Sequence, residues 1–148
     1  MKNLFVNDVG NEFPLIMVHG FLGSSIMWGP QIDELKKYYR IIAPDIPGFG
    51  YSNKVLPCNS INSMAKSILE MIDHIGIKKF HLLGHSMGGM IVQEMTKLAG
   101  DKVEKLICYG TGPIGNMPER FETIDQSRDR LKIEGLSNTA HRIAKTWF

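Results

Sequence analysis

The chain has 148 residues, 43% of them hydrophobic and 22% charged, which fits one globular domain able to bury a core. Its net charge of +2 is carried by lysines and arginines scattered among acidic residues, which argues against nucleic-acid binding. Two cysteines, Cys58 and Cys108, are too few for a disulfide framework, and no segment approaches the roughly 18 apolar residues of a membrane span.

In chain order, the opening MKNLFVNDVG has no apolar run long enough for a signal peptide, so a soluble, cytoplasmic protein without a membrane partner is expected. That opening leaves room for about one strand. Residues 15–18, 40–43, 80–83 and 105–108 are short apolar-rich runs bounded by Gly, Pro or Asp, and they predict four strands. A helical pattern lies between Trp28 and Tyr39. A clearer one joins Ile61, Met64, Ala65, Ile68, Leu69, Ile72 and Ile75 in a single apolar stripe, with Ser60 as its cap and Gly76 as its stop. A third covers 86–98, on Met90, Ile91, Met95 and Leu98. Both cysteines are expected to be reduced thiols, with Cys108 buried in the fourth strand. After that strand, TGPIGNMPER is rich in turn formers, residues 119–134 are highly charged, and beyond Gly135 the residues Ala140, Ile143, Ala144 and Trp147 share one helical face. The alternation of strand and helix predicts an α/β fold, a three-layer sandwich with a mostly parallel sheet covered by helices on both faces.

The third predicted strand runs directly into GHSMGG. Gly84, Ser86 and Gly88 fit the pattern G-x-S-x-G between a strand and a helix, the setting of a nucleophile elbow, in which a serine is presented on a sharp turn. If the second strand lies on one side of the first and the third on the other, MVHGF and LLGHSMGG end side by side, where open α/β sheets bind ligands. Gly20 and the amide of Phe21 then face Ser86 and the amide of Met87, and two amides near a serine oxygen make an oxyanion hole. Gly20, His85 and Trp28 are the candidate substrate contacts. Met27 and Phe49 are further candidates for an apolar pocket, with a plain core role an equal alternative for Met27 and Trp28.

Together HGF at 19–21, DIPGFGYS at 45–52 and GHSMGG at 84–89 resemble the α/β-hydrolase family in order and spacing, over most of residues 1–115. The resemblance implies Ser86 as nucleophile, Phe21 and Met87 as amide donors, and 45–52 as a loop shaping the entrance. The segment RIAKTWF looks like a cap helix of the branch holding carbon-carbon bond hydrolases and 3-oxoadipate enol-lactonases. Residues 1–115 are thus expected to form the N-terminal part of a hydrolase core and 116–148 the beginning of a helical cap. A serine, where the related dehalogenases and epoxide hydrolases use aspartate, implies hydrolysis of an ester, lactone or carbon-carbon bond in a small acyl substrate. Met87 in place of a tryptophan speaks against a haloperoxidase. No metal or other cofactor is expected, since H-E-x-x-H, phosphate-loop and dinucleotide patterns are all missing.

The family's acid and histidine usually follow later strands, in the order serine, acid, histidine. Neither has a counterpart here, so the chain is expected to be the N-terminal part of a longer hydrolase and feeble on its own. His85 adjoins Ser86 but should point away from it. His19 suits a structural hydrogen bond, and His74, His81 and His141 suit structural or solvated positions. Asp45 suits loop bracing better than acid catalysis. After the fourth strand, where some lipase-like enzymes carry the acid, the chain offers Thr111. A non-catalytic ligand-binding or sensor protein on a hydrolase core is the competing function. A sheet ending at the fourth strand would expose an edge through which a second copy could pair.

Overall fold

The computed structural model describes residues 4–113 and 122–145. They divide into two compact units, Met1–Gly115 and Asn116–Phe148. The first is built on five strands: β1 (Val6–Val9), β2 (Pro14–Val18), β3 (Arg40–Pro44), β4 (Phe80–His85) and β5 (Val103–Tyr109). Their order across the sheet is β1-β3-β2-β4-β5, with β1 antiparallel to β3 and every other pair parallel. The predicted arrangement therefore holds: β3 and β4 flank β2, and the chain reverses direction across the sheet at the C-terminal end of β2. The one strand for which the opening segment leaves room is β1.

Side chains alternate across the sheet with the period of two that strands impose. Ile16, Val18, Ile42, Phe80 and Leu82 face one side, where α2 (Ile61–His74) and α3 (Met87–Ala99) cover them with Met64, Ile68, Ile72, Ile91, Val92 and Met95. Leu15, Met17, Ile41 and Ala43 face the other, under Trp28 and Ile32. Ile32 belongs to α1 (Gly29–Leu35), and Trp28 ends the short 3₁₀ turn Ser25–Trp28 that leads into it. This is the three-layer sandwich that the pattern predicts.

Local chemistry sets the helix ends. Ser60 caps α2 through a reciprocal box with Ser63, its hydroxyl accepting from the Ser63 amide at 3.1 Å while Ser63 Oγ accepts from the Ser60 amide at 3.2 Å. At the other end Gly76 takes φ +78, and the amides of Gly76 and Ile77 return to the carbonyls of Asp73 and Ile72, a Schellman closure. The predicted helix over 28–39 is shorter, because after Leu35 the amides of Tyr38 and Tyr39 both turn back to the Leu35 carbonyl and feed the chain into β3. In α3 the buried stripe is Gly88, Ile91, Val92, Met95 and Ala99, whereas Leu98 is exposed.

Cys108 is a further correction. It lies in β5 as predicted, but it is exposed rather than buried. Among the described residues β5 pairs with β4 alone, and Leu106, Ile107 and Tyr109 are exposed along with it.

In the second unit α4 (Ile124–Ala144) is two helical segments separated at Gly135, whose φ of +77 and ψ of 168 break the helix. The charged stretch before Gly135 is helical from its Thr123–Gln126 capping box onward. Arg142 in the later segment bonds Glu134 Oε2 at 3.0 Å and Glu122 Oε2 at 2.9 Å, so one guanidinium ties both ends of the earlier segment. Ser127, which bonds Glu122 at 2.6 Å, together with Arg142 holds the Glu122 carboxyl below the usual range. The predicted face of 140–147 is described up to Ala144, where Ile143 is buried; Trp147 and Phe148 lie outside the described residues. No described helix is long and apolar enough to cross a membrane.

Candidate active site

Strand β4 ends at His85 and α3 begins at Met87, so Ser86 alone makes the turn. Its backbone sits at φ +54 and ψ −120, a region that side chains with a Cβ rarely enter and that costs on the order of 1–3 kcal/mol. The glycines around it make this geometry possible by contact rather than by flexibility. A Cβ on Gly84 would overlap the Gly88 carbonyl, and one on Gly88 would overlap the carbonyls of Val18 and His19. A Cβ on Gly89 would overlap the side chain of Thr111. Each of the three lets a different element approach: the first turn of α3 onto β4, β2 onto α3, and the exit of β5 onto α3.

The neighbouring strand end is strained as well. After β2 the chain turns tightly, the Gly23 amide donating to the Gly20 carbonyl at 3.1 Å, with Leu22 at φ +58. Leu22 and Ser86 are the described non-glycine residues with positive φ, and they lie beyond the ends of adjacent strands. Gly20 approaches Ser86 so closely that a Cβ there would stand 3.1 Å from Ser86 Cβ. Phe21 is exposed, its ring edge-on to Phe49 at 5.9 Å between centroids.

Behind this turn, His19 is fully buried and bonded on both ring nitrogens. The Ile46 amide donates to Nε2 at 3.0 Å, so Nε2 carries no proton, and Nδ1–H donates to the Gly20 carbonyl at 2.8 Å. Burial lowers the His19 pKa, against smaller upward pulls from the Gly20 bond and Asp45, which keeps the ring neutral. Asp45 is also fully buried: Oδ1 accepts from the Ser25 amide at 2.6 Å and Oδ2 from the Tyr51 amide at 2.7 Å. It braces the loops on either side of β3, and Gly50 leaves room for its carboxylate. Ser52 at the end of the same loop is buried and accepts from the Phe5 amide at 2.9 Å. Both His19 and Asp45 thus take the structural places expected of them.

His85 points to the α1 side of the sheet, its ring edge-on to Trp28 at 6.5 Å and tilted against Tyr109 at 5.5 Å. Trp28 is buried in the core cluster of that face. His85 Nδ1 and Trp28 Nε1 are buried without a hydrogen-bond partner among the described residues. His81 is packed between Phe13 and Tyr39, and burial lowers its pKa ahead of the effect of Lys105. Among the described residues the Ser86 hydroxyl makes no hydrogen bond to any histidine or carboxylate, and no group of three His, Cys, Asp or Glu side chains could hold a metal ion.

Residues 14–139 match the sequence model of the alpha/beta hydrolase fold family. The chain belongs to that family. It is 36% identical over 110 residues to the dihydrolipoyllysine-residue acetyltransferase component of an acetoin cleaving system from Pseudomonas putida, covering 73% of this chain and 30% of that one. It is 32% identical over 114 residues to the esterase YbfF of Escherichia coli, covering 77% of this chain and 44% of the relative. Among solved structures, a malate-bound thermophilic esterase from Thermogutta terrifontis superposes with a TM-score of 0.79 at 33% identity, over 89% of this chain and 49% of the other. The chain thus spans less than half the length of these relatives.

Two features went unrecognised in the sequence. The strain at Leu22 could not be read from it, because nothing marks a leucine for positive φ. The contact between Thr111 and the elbow was signalled only by the second glycine of the GG pair.

Proposed function

We propose that the complete protein is a serine hydrolase of esters or related acyl compounds, with Ser86 as nucleophile and the amides of Phe21 and Met87 as oxyanion donors. The observation that carries this reading is the strained φ of Ser86 at a strand-to-helix turn packed close against the end of the adjacent strand. Strain kept at one polar residue between matched glycines costs stability, and such sites recur where a side chain must be presented for chemistry. In the reaction the Ser86 oxygen attacks the substrate carbonyl while its proton passes to a base. The tetrahedral oxyanion is held by the two amides, the alcohol departs with a proton, and water then releases the acyl group from Ser86. Among the described histidines, His19 is committed on both nitrogens and His85 faces the α1 side, so in this proposal the base comes from outside residues 1–148. The second unit is proposed as the start of a helical cap. The esterases among its relatives favour an ester as substrate.

The test is labelling of the full-length protein with a fluorophosphonate probe, located by mass spectrometry, beside turnover of p-nitrophenyl acetate. Rapid labelling at Ser86 and loss of turnover in Ser86→Ala by at least about 10³-fold are expected, the scale on which triad members act. An intact, folded protein that binds acyl ligands without labelling or turnover would instead be a sensor on a hydrolase core.

A further inference from the structure

We infer that Thr111 is a positioning residue for Ser86: its hydroxyl holds the elbow's peptide in the geometry that presents the nucleophile. The inference rests on Ser86 being the nucleophile. Thr111 lies just past the end of β5, separated from Tyr109 only by Gly110 at φ +55. Its Oγ1 donates to the Ser86 carbonyl at 2.6 Å, the shortest of the three bonds which that oxygen accepts; the Gly89 and Met90 amides stand at 2.9 and 3.4 Å. A longer approach of the same hydroxyl, 3.4 Å, reaches the Gly112 carbonyl.

The geometry explains why this bond matters. The two backbone groups of Ser86 are held from opposite sides by one segment: the Tyr109 carbonyl accepts the Ser86 amide at 3.0 Å, and Thr111 grips the Ser86 carbonyl. Gln93 ties the same segment to α3, its Nε2 donating to the Gly89 carbonyl at 3.1 Å and to the Gly112 carbonyl at 3.4 Å. The unusual torsions lie between that amide and that carbonyl. Releasing the carbonyl lets ψ of Ser86 relax, which swings the Met87 amide and reorients Cβ and Oγ. The pairing is steric as well as polar, since the Thr111 side chain fills the space a Cβ on Gly89 would take. Gly89 therefore admits Thr111, and Thr111 fixes the turn.

The experiment compares Thr111→Val, Thr111→Ser and Ser86→Ala in the full-length protein. Its readouts are kcat and KM for p-nitrophenyl acetate, the thermal midpoint, and the carbonyl ¹³C shift of residue 86. Thr111→Val keeps the shape and loses the donor, so kcat should fall by about tenfold, the scale of one hydrogen bond that aligns a reacting group. KM should change little and the ¹³C signal of Ser86 should move upfield. Thr111→Ser should restore both rate and shift. A displaced ¹³C signal with unchanged kcat would overturn the inference while leaving Ser86 as nucleophile. A fall in kcat that Thr111→Ser does not rescue would also overturn it, as would one that only tracks a lowered thermal midpoint. If Ser86→Ala retains turnover, the underlying reading of Ser86 fails, and the ¹³C comparison still reports whether Thr111 holds the turn.

Discussion

Ser86 is held in its strained conformation by neighbours that cannot yield. The Cβ missing from Gly88 would meet main-chain oxygens of Val18 and His19, and those carbonyls belong to β2 and the turn after it, at the centre of the sheet. A side chain can rotate away from a bad contact, but a central strand cannot. Gly88→Ala should therefore cost about 1–3 kcal/mol, the range of overpacking in a closely fitted interior. Gly100 provides the contrast: its φ is −60, and a Cβ there would meet nothing within 4 Å. Gly100→Ala should be neutral or stabilise by up to about 1 kcal/mol through the unfolded chain. Urea denaturation of the two variants checks both values, and equal effects would show that close contact at Gly88 does not govern the turn. The pattern GHSMGG was legible as a tight turn, but its three glycines read alike in the sequence. Their separate contacts depend on which strands become neighbours, and that is a property of the assembled sheet.

At the scale of elements, the sequence signals that proved reliable were those whose cause is local. Ser60 and Gly76 bracket α2 because a hydroxyl cap and a positive-φ stop act within a few residues. Ser60→Ala should cost about 1 kcal/mol, since it leaves the Ser63 amide without its side-chain acceptor. Helicity followed through thermal unfolding measures this, and Ser60→Asp should recover most of the loss. Where the cause is tertiary, the reading failed. Cys108 sits in an apolar strand that looked like core, yet it is exposed together with Leu106, Ile107 and Tyr109. Whether a strand's side chains are buried depends on what packs on the faces of the sheet, which an apolar run does not specify. Leu98 followed the helical period of α3 but falls beside the buried stripe, because the contact of Gly88 with β2 sets the rotation of that helix. The charged half of α4 lacks an apolar stripe. It takes its order from a capping box and from Arg142 reaching back across the break at Gly135, a contact that spans 20 residues of sequence from Glu122.

For the whole molecule, the order β1-β3-β2-β4-β5 brings together the ends of β2 and β4. His19 links this architecture to pH. Its neutral ring joins the turn after β2 to the loop after β3: Nδ1–H donates to the Gly20 carbonyl, and Nε2 accepts from the Ile46 amide, a bond that requires Nε2 to be unprotonated. Burial lowers its folded pKa below the ordinary 6.5. Above that value folded and unfolded chains both hold a neutral imidazole, and the contribution to stability is full and flat. As the pH falls through 6.5 the unfolded state takes up a proton that the folded state resists, so the contribution is progressively lost until the folded pKa is reached. His81, lowered by burial and by Lys105, adds a slope of the same sign, so the comparison has to isolate His19. His19→Gln keeps an amide donor and acceptor but cannot titrate. It should be less stable than the parent at pH 7.5 and lose less stability than the parent between pH 7.5 and 5.5. Urea midpoints at several pH values in that window provide the measurement. Parallel profiles for the two proteins would mean that His19 carries no part of the acid sensitivity, and that burial does not lower its folded pKa.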